Sequence, residues 1–207
     1  MNKTIYEVLS KDKVIASLAQ LHEIKPLPVT KNIYVDMLEN IVSQQLSGRV
    51  ASAIFNRFLD LFPNRDPKPE LLLNLDDLKL RMVGLSGSKT VYVKAMAEFA
   101  LKHNLDVSSI MPMPDHEVVK LLTQVKGVGV WTAQMLLIFS LGRNDVFPVD
   151  DLAIRQGMVE LYNLQSIGKE LWLKLNQIAN NWTPYRTWGT RLVWAYVNNK
   201  KQNAVRM

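Results

Sequence analysis

The sequence predicts an all-α protein, and three observations lead to this prediction. Apolar residues recur three and four positions apart through most of the 207-residue chain, which is the spacing of helices with one buried face. No stretch alternates apolar and polar residues as a half-buried strand does. Polar turns and prolines separate the helical segments, and the chain is long enough to bury a substantial core, as one domain or two small lobes.

The first half of the chain begins with a helix that is interrupted near Ser10 and ended by Pro26 and Pro28. Its later helices are separated by a polar break around Gly48 and by a proline-rich connection at residues 63–69. In chain order, the predicted helices span residues 5–21, 34–42, 50–62, 71–75, 76–82 and 90–101.

The second half follows the same pattern and ends in a polar tail, residues 198–207, that includes Arg206. A short helix is predicted after Asp106, and Asp115 is the expected N-cap of the next helix. The remaining predicted helices run to about residue 125 and then span residues 130–141, 152–161, 168–178 and 185–197.

A glycine-containing turn, Lys126-Gly127-Val128-Gly129, joins two of these helices. Glycines at such a turn allow positive φ angles and close approach of the backbone to a group outside it. The N–H groups at the start of the second helix then point outward with the positive end of its dipole, which favours an anion such as phosphate. A plain structural turn between two packed helices is the alternative, and GxG alone does not decide between them.

Two adjacent carboxylates, Asp150 and Asp151, stand where the loop after the hairpin helix becomes the next helix. Aspartate is a common N-cap, so either residue alone would be interpreted as a helix cap. One cap is enough for one helix. The second carboxylate is therefore available for another role.

The pattern LxxVKGVGxWTA, followed by an apolar helix and DVFPVDDLxI, resembles the helix-hairpin-helix and Gly/Pro…Asp (HhH-GPD) signature of the base-excision DNA glycosylase superfamily. Within it, the chain is most similar to the 3-methyladenine DNA glycosylase II branch, which removes alkylated bases, in a short form without that branch's extra N-terminal domain. The resemblance covers residues 34–196 and implies a catalytic role for Asp151 and a structural role for Asp150.

The resemblance also implies two helical lobes. We expect residues 30–143 to form a middle lobe that carries the hairpin, and residues 1–29 with 144–207 to form a second lobe that carries Asp151. The active site would lie in the cleft between them, because ligand sites are common between lobes.

Two turns match positions at which the family contacts the DNA backbone. One is the hairpin, and the other is the glycine-rich turn at residues 84–89, where Ser88 is the expected helix cap. An ordinary helix start is the alternative for the second turn. The implied backbone contacts are Lys126, Gly127, Val128, Gly129 and Thr132 in the hairpin, and Gly87, Ser88 and Lys89 in the second turn.

The stretch IVSQQLS resembles the family's loop that enters the minor groove, where one side chain fills the gap left by an everted nucleotide. Such a plug recovers part of the stacking and pairing energy that base extrusion removes. We expect Gln45 to be the plug, with Gln44 or Leu46 as its neighbours. Glutamines that simply face solvent are the alternative.

Aromatic residues match the family's base pocket at Trp131 and Trp194, whereas Trp172 and Trp182 are expected in the core. A purine alkylated on a ring nitrogen is positively charged, and an aromatic wall attracts it by cation–π contact and stacking. Met135 stands where some members have an aromatic residue, which leaves the shape of the pocket open.

The resemblance implies hydrolysis without strand cleavage. The alkylated base is already a good leaving group, so Asp151 would stabilise the cation that develops on the sugar and orient or deprotonate the attacking water. Bifunctional relatives such as endonuclease III have a Schiff-base lysine at the position of Trp131. Lys126 precedes the turn and is expected to face another way, so we expect a monofunctional enzyme that leaves the abasic site intact.

Composition restricts the partners. The formal net charge of +6 suits a polyanion, here double-stranded DNA containing alkylated bases, although many other proteins are as basic. The chain contains no cysteine, which excludes disulfides and thiolate-held metal or iron–sulfur sites. The histidines His22, His103 and His116 are expected at the surface, so no metal and no cofactor is expected.

We expect a monomer. We place it in the cell interior, at the nucleoid of a bacterium or in the nucleus of a eukaryote, because no apolar run is long enough to cross a membrane and the start lacks a signal peptide. Two alternatives stay open. One is a non-catalytic helix-hairpin-helix DNA-binding protein, and the other is a glycosylase for deaminated, oxidised or mismatched bases. The sequence also leaves open which alkylated bases are accepted.

Overall fold

The computed structural model describes residues 1–205, and side chains through residue 202. Within this part of the chain all regular structure is helical, which confirms the all-α prediction. In chain order the helices are α1 Lys3–Leu9, α2 Lys13–Leu21, α3 Ile33–Ser43, α4 Gly48–Leu59, the 3-10 turn Pro63–Arg65, α5 Pro69–Leu73, α6 Asp77–Met82, α7 Gly87–Lys102, α8 Val107–Ile110, α9 Asp115–Leu122, α10 Val130–Met135, the π-helical turn Leu136–Ser140, α11 Leu152–Leu161, α12 Gly168–Asn180 and α13 Arg186–Val205.

The chain divides into two compact units. The middle unit is Val29–Leu141, and the terminal unit combines Met1–Pro28 with the described residues from Gly142 onward. In the middle unit, α3 packs against α7, α4 and the π-helical turn, and α5 also packs against α7. The buried face of α3, which includes Met37, Leu38 and Ile41, therefore forms the centre of this unit.

The terminal unit is built around Trp182, whose side chain is 0% exposed. Helix α13 packs against α2, α11 and α12. The ring of Phe147 meets Trp182 edge-on with 5.8 Å between centroids. A Cβ at Gly189 would lie 2.4 Å from the Trp182 ring, so α13 approaches this ring only because Gly189 has no side chain. Burial of Trp182 is the core role that the sequence predicts for it.

Most predicted helices lie within a few residues of the observed ones, and three details differ. Trp172, expected in the core, is 41% exposed, because Leu171 and Leu175 form the buried face of α12 instead. Asp115 is the first residue of α9 rather than its N-cap, which is Pro114. Helix α13 continues through Val205 instead of ending at residue 197, and Arg206 lies outside the described residues.

The predicted interruption near Ser10 is confirmed, and Asp12 explains the start of the second helix. Its Oδ1 accepts the N–H groups of Val14 at 2.9 Å and Ile15 at 3.3 Å and thereby caps α2. Its Oδ2 accepts the Tyr162 hydroxyl at 2.6 Å and the Trp182 indole N–H at 2.9 Å. Burial, together with the bond to Asp12, raises the pKa of Tyr162, so the hydroxyl keeps its proton and stays a donor.

Replacement of Asp12 by alanine is expected to lower the free energy of unfolding by about 3–5 kcal/mol, because it removes a helix cap and leaves two largely buried donors without their acceptor. Urea denaturation measures this loss. Asp106→Ala is the matched control, since Asp106 is the N-cap of α8 but makes no cap hydrogen bond with its side chain. Equal losses in the two variants would contradict a structural role of the Asp12 network.

Candidate functional site

The hairpin between α9 and α10 is tight, and its two glycines serve different purposes. The Val128 N–H donates to the Val125 carbonyl at 3.0 Å. Gly127 has φ +89°, and a Cβ there would lie 2.2 Å from Cγ of Tyr92. Gly127 is therefore required both by its backbone conformation and by the packed tyrosine ring. Gly129 has φ −93° and ψ 175°, and a Cβ there would meet nothing within 4 Å. The expectation of positive φ is confirmed at Gly127 and wrong at Gly129.

The outer face of the hairpin is formed by the exposed residues Lys126, Gly129 and Trp131, the last of which is 38% exposed. Two other predicted backbone contacts point inward. The side chain of Val128 is buried, and Thr132 is only 3% exposed. Thr132 Oγ1 accepts a hydrogen bond from Gln44 inside the unit, so this hydroxyl is not a surface group, and the expected contact of Thr132 to DNA stays a prediction.

The second hairpin helix changes its winding after Met135. Helix α10 ends there and continues as the π-helical turn Leu136–Ser140, whereas the sequence predicts one uniform helix. Met135 is buried at the last position of α10. The Ser140 carbonyl accepts the Thr30 N–H at 2.7 Å, which fixes the end of the turn within the middle unit. Turns of this type occur frequently near functional sites.

The loop at residues 43–47, hereafter the plug loop, has one side chain turned in and two turned out. Gln44 Nε2 donates to the Gly127 carbonyl at 3.0 Å and to Thr132 Oγ1 at 3.2 Å. Gln45 and Leu46 are exposed. Gln45 also has φ +60°, a left-handed conformation that costs a non-glycine residue about 1–2 kcal/mol. Backbone strain of this kind persists where the surrounding structure enforces it, and it is frequent at ligand-binding sites.

The first turn of α7 differs from its prediction in two residues. Its N-cap is Ser86, whose Oγ accepts the Lys89 N–H at 3.3 Å, and not Ser88. Gly87 and Ser88 are exposed, as a contact to DNA would require. The Lys89 ammonium instead donates to the carbonyls of Val42 at 2.7 Å and Gln44 at 2.8 Å. Its charge is therefore used within the middle unit, and burial lowers the pKa of Lys89.

In the terminal unit, Asp151 is both the N-cap of α11 and the partner of a tryptophan. Its Oδ1 accepts the Ile154 N–H at 2.9 Å and the Trp194 indole N–H at 3.0 Å. Asp150 is exposed one residue earlier. Asp151 thus makes the helix cap, although the family resemblance implies the structural role for Asp150. The half-buried carboxylate of Asp151 is held in a defined orientation by a helix start and a ring.

The loop before Asp151 is fastened to the start of α13. Arg186 donates to the Asp145 carboxylate from Nε at 2.8 Å and from Nη2 at 3.0 Å, and its backbone N–H donates to the same group at 3.1 Å. The Trp188 indole N–H donates to Asn144 Oδ1 at 2.9 Å. Bidentate pairs of this kind fix geometry as well as adding stability. They restrict the loop that leads to Asp151.

Close packing of α11 on α13 brings Trp194 into reach of Asp151. A Cβ at Gly157 would lie 2.7 Å from a Val197 methyl and 2.9 Å from a Val193 methyl, so only glycine permits this approach. The resemblance implies a base-pocket role for Trp194, but its hydrogen bond to Asp151 is not predictable from the sequence. A helical spacing shows which residues share a face, whereas this contact joins two different helices.

Within residues 1–205, no group of three or more His, Cys, Asp or Glu side chains is arranged to hold a metal ion. No helix in the same range has the length and apolar character to span a membrane.

The all-helical fold, the glycine hairpin and the loop that ends in an oriented aspartate define a helix-hairpin-helix protein of the DNA-repair type. The family model described as HhH-GPD superfamily base excision DNA repair protein matches residues 38–180. The chain belongs to this superfamily.

Relatives with known names and structures agree with this assignment. The chain is 36% identical over 173 residues to DNA-3-methyladenine glycosylase 1 of Schizosaccharomyces pombe, covering 79% of this chain and 72% of the relative. A solved structure of S. pombe 3-methyladenine DNA glycosylase (Mag1) in complex with abasic DNA superposes with a TM-score of 0.83 at 32% identity, covering 93% of this chain and 95% of that one. A DNA-3-methyladenine glycosidase from Bacillus halodurans superposes with a TM-score of 0.80 at 30% identity, covering 97% and 92%.

Proposed function

We propose that this protein is a monofunctional DNA glycosylase that excises alkylated purines, 3-methyladenine and 7-methylpurines, from double-stranded DNA by hydrolysis of the N-glycosidic bond. Its superfamily acts in base excision repair, and the relatives reported above are named as 3-methyladenine glycosylases. The observation that carries the proposal is the carboxylate of Asp151, held through Oδ1 by the start of α11 and by Trp194.

Asp151 acts on the sugar rather than on the base. A purine alkylated at a ring nitrogen leaves readily, and C1′ becomes positively charged as the glycosidic bond lengthens. A carboxylate fixed in place stabilises that charge without having to reorient during the reaction. The same group orients the attacking water or accepts its proton. Asp150 does not take part, which accords with its exposed position.

The base is held by aromatic and apolar side chains. We assign base contact to Trp131 and Trp194, whose electron-rich rings attract a cationic purine, and to Met135. The hydrogen bond that Trp194 donates to Asp151 fixes its indole ring, so it presents a defined face to the base. Met135 stands where some members of the family have an aromatic residue, so the aromatic surface that contacts the purine is smaller here than in those members.

The DNA backbone is held at the hairpin and at the first turn of α7. Lys126 and the backbone of residues 127–129 contact one phosphate group, and the exposed Gly87 and Ser88 contact a second. The plug is Gln45 or Leu46, since Gln44 is engaged with the hairpin. The protein acts as a monomer on DNA, at the nucleoid in a bacterium or in the nucleus in a eukaryote.

Release of free methylpurines from methylated duplex DNA tests the proposal. We expect chromatography to detect released 3-methyladenine or 7-methylpurine, while the strand stays intact until alkali is added. Borohydride is expected to trap no covalent complex, because Trp131 stands where a Schiff-base lysine would be needed.

Parallel duplexes with uracil, 8-oxoguanine or a mismatch separate the alternatives. Release of one of these bases in place of methylpurines would show that the pocket is specialised for another lesion. Binding to every duplex without release of any base would reject the enzyme and favour a helix-hairpin-helix DNA-binding protein.

A further inference from the structure

We infer that Lys89 and Gln44 are positioning residues that hold the plug loop in the shape needed for insertion into DNA, and that Lys89 is not a phosphate ligand. The inference rests on the proposed function, since it concerns the residue that replaces an everted base. It is carried by hydrogen bonds that lie wholly within the middle unit.

Lys89 fastens the end of α3. The last carbonyls of a helix lack donor partners within it, and a cation at that end is favoured by the helix dipole. Helix α3 ends at Ser43, and the Lys89 ammonium donates to the carbonyls of Val42 and Gln44 on either side of that residue. An ammonium has three donors, and two of them are used here. The Lys89 side chain therefore holds the loop through these two carbonyls and does not extend toward solvent.

Gln44 fastens the same loop to the hairpin. Its amide group reaches the carbonyl of Gly127 and the buried hydroxyl of Thr132. Gly127 is itself restricted by the Tyr92 ring, and Thr132 belongs to the first turn of α10. The amide therefore joins the plug loop to two points that cannot move independently of the hairpin.

Gln45 lies directly after these two attachments and adopts a left-handed backbone conformation. On its other side, the Leu46 N–H donates to the Ser43 carbonyl at 3.1 Å. Both flanks of Gln45 are thus fixed, and the exposed tip is shaped before DNA arrives. A preformed tip does not have to be ordered during insertion, which favours the inserted state.

The test uses a duplex that carries an abasic-site analogue opposite 2-aminopurine, whose fluorescence changes when a side chain fills the gap. We expect Lys89→Met to lose much of this fluorescence change at saturating protein, while the slope of log Kd against log salt stays at the wild-type value. If Lys89 contacts a phosphate group instead, its replacement by methionine would lower that slope by about 0.9 and leave the saturated signal unchanged. That result would overturn the inference.

Control variants show whether the loss of signal in Lys89→Met comes from the position of the ammonium group, from its charge or from a loss of stability. Lys102→Met removes an exposed charge at the far end of α7 and is expected to leave the fluorescence change as in the wild type. Lys89→Arg keeps donors near the two carbonyls and is expected to restore part of the signal. If Lys89→Met does not fold, Gln44→Met is used for the fluorescence measurement, because it removes the other attachment of the loop, and it is expected to lose the same signal.

Base release gives a second readout with a separate meaning. In Lys89→Met, the single-turnover rate of methylpurine release is expected to fall by about tenfold to a hundredfold, because the everted nucleotide is held less well in place. A wild-type protein that releases no base would reject the proposed function, and the fluorescence and salt measurements would still decide the role of Lys89. An active wild type with an equally active Lys89→Met variant would reject the positioning role alone.

Discussion

Asp151→Asn is expected to lower the single-turnover rate of methylpurine release by about 10²–10³, because it removes the charge that we propose stabilises the developing sugar cation. The fold should not change. The side-chain oxygen of asparagine can accept the same two hydrogen bonds, from the Ile154 N–H and the Trp194 indole, and asparagine is as good an N-cap as aspartate. Release of free base under single-turnover conditions measures the effect, and thermal unfolding checks the fold.

Two neighbouring substitutions show whether the loss is due to charge. Asp150→Asn should keep a rate close to that of the wild type, since Asp150 is exposed one residue before the cap. Asp151→Ala removes the cap as well as the charge and should lower stability by about 1 kcal/mol in addition. A larger loss of activity in Asp150→Asn than in Asp151→Asn would show that the roles of the two aspartates are exchanged.

Gly127→Ala is expected to lower the free energy of unfolding by about 2–4 kcal/mol, through left-handed strain and overpacking against the Tyr92 ring. Denaturant unfolding measures this loss. DNA binding should weaken along with it, because the hairpin cannot keep its turn.

Gly129→Ala is the matched control for that substitution. It lies two residues later, has an ordinary φ angle and meets nothing within 4 Å, so stability should change by no more than about 0.5 kcal/mol. If the backbone at Gly129 approaches a phosphate, the added methyl group weakens DNA binding in a protein of normal stability. A Gly127→Ala variant as stable as Gly129→Ala would contradict the packing argument.

Local features of the chain were sufficient to predict the helices, the hairpin and the start of α11. Apolar spacing marks helices, and a glycine between two of them marks a turn, because both signals involve residues within a few positions of each other. The resemblance to a known family then selected Asp151 and Trp194. Their roles stay proposals, and the hydrogen bond between the two was not predicted.

The missed contacts of the plug loop join residues that are far apart in the chain. Gln44 bonds to Gly127 and Thr132, and Lys89 bonds to the end of α3, yet the sequence gives no periodic signal for either. Lys89 follows a glycine-rich turn, which the family resemblance matches to a phosphate contact and which an ordinary helix start explains equally well. An aromatic residue at helical spacing is usually buried, which places Trp172 in the core, whereas the register of α12 turns it outward.

The fixed shape of the plug loop has a consequence for how the protein searches DNA. Positively charged proteins slide and hop along duplexes, and they meet undamaged base pairs in vast excess over lesions. If the tip of the loop had to refold at each position, the protein would spend more time at every base pair. If Gln45 is the plug, as proposed, its shape is set by two attachments before it meets DNA. The opening of each base pair then sets the time spent there, and the protein is expected to pause at weakly stacked, damaged nucleotides.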